Sequence, residues 1–139
     1  MKKSILLLIL FLNFSCNSSN FESELSNILS KDGGYWDFEW ARDDADQHGF
    51  TFRFEKNGNL SKYSFNKVKN ERRLFSDYPS AEIDDIWKWR VSSDSLLFMI
   101  TDSSKVLRYS EDTIYLEKIL NDGKLDIMLI KVKSDLNIK

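Results

Sequence analysis

Phe50-Thr51-Phe52-Arg53-Phe54-Glu55-Lys56-Asn57-Gly58-Asn59-Leu60 decides the fold. Aromatic rings alternate with polar side chains as far as Phe54, which is the period of a strand that buries one face. Asn57-Gly58 then supplies positive backbone angles at little cost, so the chain turns back in a hairpin. Leu60 to Val68 is the returning strand.

The period of two extends in both directions. Upstream, Tyr35 to Ala41 places Trp36, Phe38 and Trp40 on one face. Downstream, Ile86 to Val91 carries Trp87 and Trp89, and the strand patterns Leu96 to Thr101, Lys105 to Tyr109, Thr113 to Leu120 and Leu125 to Lys133 follow. Polar turns separate them at Ser92–Ser95, Ser110–Asp112 and Asn121–Lys124. The pattern predicts a mainly β domain over residues 21–133, an antiparallel up-and-down meander of about eight strands. Closure into a barrel removes exposed edges, so a barrel is the economical form, with an open sheet or a sandwich as the alternative. Residues 134–139 form a C-terminal tail.

One short helix precedes the strands. Phe21, Leu25, Ile28 and Leu29 recur at helical spacing, Asn20 or Ser23 offers a cap, and Gly33-Gly34 ends it. Residues 69–85 are the least regular part of the body and hold the only proline, Pro79. Leu74 and Phe75 form a short strand or fold inward, and the segment as a whole reads as a long loop; loops above about 12 to 15 residues are uncommon in compact domains.

The start of the chain has a different character. Met1-Lys2-Lys3 is cationic and Ile5 to Leu12 is an unbroken apolar run, too short for a span that needs about 20 apolar residues. This is the layout of a signal peptide. No alanine precedes Ala41, so an A-x-A cleavage site is missing. Leu12-Asn13-Phe14-Ser15-Cys16 instead resembles the lipobox of bacterial lipoproteins, with Asn13 where that motif usually has leucine. The resemblance implies removal of residues 1–15, lipidation of Cys16, and a tether over residues 16–20. At about 0.8 kcal/mol per buried methylene, two or more acyl chains anchor a protein stably where one does not.

The helix, Gly34-Tyr35-Trp36 at the first strand and the meander resemble the lipocalin superfamily, whose G-x-W signature lies in the first strand. Trp87 to Leu96 and Tyr109 to Leu116 are similar to the small lipocalin-like lipoproteins of bacterial envelopes. The resemblance implies a barrel sealed at its closed end by Trp36. Thr101-Asp102-Ser103 lacks the tyrosine of the second family signature, and the last strand offers Lys131 and Lys133 in place of arginine.

Chemistry-bearing constellations are scarce. Lys and Arg number 20 against 22 Asp and Glu, and the formal charge of −2 grows more negative without Lys2 and Lys3, which argues against nucleic acid. Cys16 is the only cysteine and His48 the only histidine, so disulfides, a Cys zinc site and paired histidines are ruled out. No G-x-S-x-G elbow or phosphate-cradling glycine loop occurs. Asp44-Ala45-Asp46-Gln47-His48-Gly49 with Glu55 has nearly the spacing of a calcium loop, but His48 breaks it and its flanks are strand-patterned. It reads as a solvated acidic turn. Lys67, Lys69, Arg72 and Arg73 read first as a charged sheet edge, with binding of an anionic headgroup or partner as the alternative.

No catalytic residue, metal or cofactor is therefore expected. Phe50, Phe52, Phe54, Trp87 and Trp89 read first as core, and they line a pocket if the barrel holds one. The expectation is a non-enzymatic envelope lipoprotein, held in the outer rather than the inner membrane by acylated Cys16. Its domain would lie in the periplasm or at the cell surface and bind a small apolar ligand. The alternative is a filled barrel that contacts an envelope protein through its loops, with residues 69–85 as first candidate.

Overall fold

The computed structural model describes residues 18–40, 48–75, 87–133 and 136–138. Helix α1, Ser18–Ser30, begins two residues before the Asn20 cap suggested by the sequence. Its apolar stripe turns Leu25 and Leu29 wholly inward, with Phe21 and Ile28 packed beside them. A 3-10 turn, Lys31–Gly33, ends it, and Gly34 lies in the left-handed region at φ 68°. Glycine is required there: a Cβ on Gly34 would stand 2.2 Å from the Phe54 carbonyl oxygen and 2.9 Å from that of Leu29. The helix end is thereby pressed against the hairpin that decides the fold.

Among the described residues nine strands follow: β1 Tyr35–Trp40, β2 His48–Phe54, β3 Leu60–Asn66, β4 Glu71–Leu74, β5 Trp89–Val91, β6 Leu96–Met99, β7 Asp102–Tyr109, β8 Thr113–Leu120 and β9 Gly123–Lys131. They form one antiparallel sheet in the order β4-β3-β2-β1-β9-β8-β7-β6-β5. Two meanders are thus joined where β9 returns to β1, with Trp36 opposite Lys131 and Phe38 opposite Leu129. The mainly β, antiparallel meander with one short helix is the architecture predicted by the period of two.

The strand count exceeds the expected eight because part of the 69–85 segment is not loop. Glu71–Leu74 pairs with Tyr63–Asn66. Its inward and outward alternation is hidden in the sequence because the buried position is an arginine, Arg72, which lays its side chain on Phe65 with the guanidinium carbon 3.9 Å from the ring centroid. The β2–β3 turn also differs in detail. Only Gly58, at φ 83°, takes a positive angle, and the bonds Gly58 N to Glu55 O (2.9 Å) and Glu55 N to Asn59 O (3.0 Å) define a three-residue loop.

The sheet curls into a half-barrel. At one end its two sides meet: Leu60 N donates to Trp87 O at 2.8 Å, Trp89 N donates to Gly58 O at 3.0 Å, and Asn59 bridges Lys88. The concave side is the core, where Trp36, Phe54, Leu97, Ile114 and Leu129 are fully buried with Leu25 and Leu29 of the helix. At the β4 edge, Arg72 N donates to Asn137 O at 2.8 Å, so the C-terminal tail runs beside β4. Among the described residues no helix is long and apolar enough to cross a membrane.

Candidate functional site

Trp36 is completely buried, and its indole N–H donates to the Leu29 carbonyl oxygen at 2.8 Å. The cation over it is Lys131, whose Nζ is 5.7 Å from the ring centroid and 3.2 Å from the Asp32 carboxylate. Trp36 thus ties the helix, β1 and β9 together at one place.

The five rings expected to line a pocket separate into two groups. Phe52, Phe54 and Trp89 are packed solid: Phe54 and Trp89 meet edge to face at 5.4 Å, and the Trp89 indole N–H donates to the Glu55 carbonyl oxygen at 2.9 Å. Phe50 and Trp87 are only half-buried and are linked through Phe75, at 6.5 Å from Phe50 and 6.0 Å from Trp87. Trp40, 41% exposed, adjoins Phe50 at 6.4 Å. These four rings form an aromatic rim beside the filled core.

Lys62 extends into this rim. It stands opposite Phe52, and Ser64 opposite Phe50, so the hairpin register puts Lys62 on the concave side. Its Nζ lies 3.8 Å from the centroid of Phe50, 4.6 Å from Phe75 and 6.0 Å from Trp87. Burial pushes its pKa below the ordinary 10.5, while the negative ring faces favour the charged form and oppose that shift. Sequence reading misses Lys62 because an inward polar residue breaks the alternation in β3. The signal that finds it is the turn length, since pairing Phe54 with Leu60 forces Phe52 onto Lys62.

The expected basic edge holds in position, since β4 is the last strand of the sheet, but Arg72 and Lys67 are drawn into ion pairs. Arg72 is only 3% exposed; its Nη2 bonds both oxygens of Asp37, at 2.9 and 2.7 Å, and its Nε bonds Thr51 Oγ1 at 2.8 Å. Lys67 pairs with Glu39 at 2.6 Å. The cause is the outer face of β1 to β4, where Thr51, Tyr63 and Phe65 are buried as well, so this part of the sheet is covered on both sides.

Two surface hollows lie beside the helix. One, of about 620 Å³, is lined by Asp32, Asp112, Lys131 and Lys133, and the other, of about 420 Å³, by Glu24, Ile28, Lys31 and Tyr109. Their charges are neutralised in pairs: Lys131 with Asp32 at 3.2 Å, Lys133 with Asp112 at 2.7 Å, Lys31 with Glu111 at 3.6 Å. The bond from Lys133, with that from Ser110, holds the Asp112 carboxyl below its usual range.

Cys16, residues 1–15 that the sequence suggests as a signal peptide, Asp44, Asp46 and residues 76–86 lie outside the described residues. His48 is exposed at the start of β2. Among the described residues no group of three His, Cys, Asp or Glu is placed to hold a metal. No protein-family model, curated protein or solved structure matches this chain.

Proposed function

We propose that this chain is a lipocalin-like lipoprotein of the bacterial envelope, anchored to the membrane by acylated Cys16, and that its half-barrel binds a small apolar ligand without catalysing a reaction. The observation that supports the reading is the rim of Trp40, Phe50, Phe75 and Trp87. Rings packed on one another but left half open on a concave side offer apolar surface to a ligand at little conformational cost. The cationic start, the short apolar run and Ser15-Cys16 support a lipid anchor; the outer membrane, with the domain in the periplasm or at the surface, belongs to the same reading.

Native mass spectrometry of the purified full chain, with a thermal-shift screen of apolar compounds, tests the binding role. A co-purifying small molecule or a raised melting temperature is expected; the absence of both would sink it. For the anchor, Cys16→Ser should move the protein out of the membrane fraction, and retention there would contradict acylation.

A second reading has its own support. Phe52, Phe54 and Trp89 fill the interior by edge-to-face packing, as suits an interaction module that contacts an envelope protein and needs no cavity. Crosslinking in the envelope that captures one partner, together with a ligand-free native mass, would favour it.

A further inference from the structure

We infer that the ligand carries an anionic head group, held by the Lys62 ammonium, while its apolar part lies on Phe50, Phe75 and Trp87. This rests on the reading that the half-barrel binds an apolar ligand.

The argument starts from the cost of placing an ammonium where it is. A charge drawn half out of water is unfavourable unless it is paired. Among the described residues the other cations drawn in to this degree meet that demand with carboxylates: Arg53 with Glu55, Arg72 with Asp37, Lys118 with Asp102 and Lys131 with Asp32; Arg90 and Arg108, which lie on Phe98 and Tyr115, are exposed. Among the described residues no carboxylate pairs with Lys62, which has only ring faces for company. Ring faces stabilise a cation but accept no conventional hydrogen bond, so the three N–H donors stay available to an acceptor.

The surroundings select the sign of that acceptor. Ser64 and Arg73 share the concave face with Lys62, and Glu71 and His48 lie one pair further along the sheet, opposite Asn66. Lys62 is thus the charged group nearest the rings, with Arg73 and then the carboxylate of Glu71 set farther out along the same face. A cationic ligand would have to displace Lys62 from the ring faces that it covers. An anion gains a charge-assisted hydrogen bond and leaves the ring edges for its apolar part.

The test compares three probes of one chain length on the purified full chain, each below its micelle-forming concentration: dodecanoate, dodecanol and dodecyltrimethylammonium. Tryptophan fluorescence reports binding. Dodecanoate should bind about 10-fold more tightly than dodecanol, the gain of one charge-assisted contact. Lys62→Met should reduce dodecanoate to the affinity of dodecanol without changing the latter, and Lys62→Arg should keep the preference; Lys62→Arg carries the test if Lys62→Met does not fold.

Equal binding of dodecanoate and dodecanol, or a preference that survives Lys62→Met, would overturn the anionic assignment and leave the apolar-ligand reading standing. Tightest binding of the trimethylammonium probe would overturn it too. Binding of none of the three would remove both.

Discussion

Arg72 on β4 reaches across two intervening strands to Asp37 on β1, with its Nη2 2.7 Å from Oδ2. Thr51 stands between them and bonds the Arg72 Nε, so one guanidinium fastens the outer face of four strands. Removing one partner leaves a poorly hydrated charge behind, which costs about 3 kcal/mol or more for a buried pair. Arg72→Met and Asp37→Asn should each lower the denaturant midpoint by that order. The double variant should lose clearly less than the sum, and strict additivity in the cycle would show the pair to be uncoupled.

Gly34 carries a second prediction. Its positive φ and the two carbonyl oxygens around the missing Cβ leave no space for a side chain. The left-handed conformation alone costs an alanine about 1–2 kcal/mol, before the clash is counted. Gly34→Ala should therefore destabilise the domain by more than about 2 kcal/mol in equilibrium unfolding. A variant as stable as the parent would mean that the helix end is free to move away from Phe54.

Tyr63 gives a pH dependence. It is buried on the outer face, and burial, then the hydrogen bond that its hydroxyl donates to the neighbouring Tyr35, push its phenol up from 10.0 to about 12, against the pull of Arg53. The folded state keeps this proton where the unfolded chain releases it. The contribution is complete below pH 10 and is lost as pH rises through about 12. Tyr63→Phe should flatten the loss of stability between those values, measured by denaturant titration at fixed pH.

Lys62 is expected to titrate below the exposed lysines, because burial disfavours its charged form. The unfolded chain binds more protons in the window between the lowered pKa and 10.5, so this group makes stability rise with pH there. The Cε resonance of Lys62 followed by NMR should show the lowered midpoint. Dodecanoate should shift that midpoint upward; a downward shift would mean that the probe only desolvates the amine.

The parts of this fold that are legible in the sequence are those where one sheet face is buried by rings. Trp36, Phe38, Phe50, Phe52 and Phe54 alternate cleanly because every second position meets the core, and Gly34 and Gly58 mark the helix end and the hairpin. The illegible parts break that rule physically. β4 buries a charged Arg72, β3 points Lys62 inward and Tyr63 and Phe65 outward, and the outer face is itself covered. At the candidate site the rings Phe50 and Trp87 are readable as an aromatic stripe. Phe75 and Lys62 are brought to them by a strand pairing and a turn length that periodicity does not report.

The central claim, that a ligand lies on the concave rim beside Lys62, is tested most directly by the tryptophan indole resonances of the full chain during addition of dodecanoate. Trp87, next to Phe75, should shift in proportion to occupancy, while Trp36, sealed against Leu29, should stay in place. A stationary Trp87, or movement confined to Trp36, would contradict it.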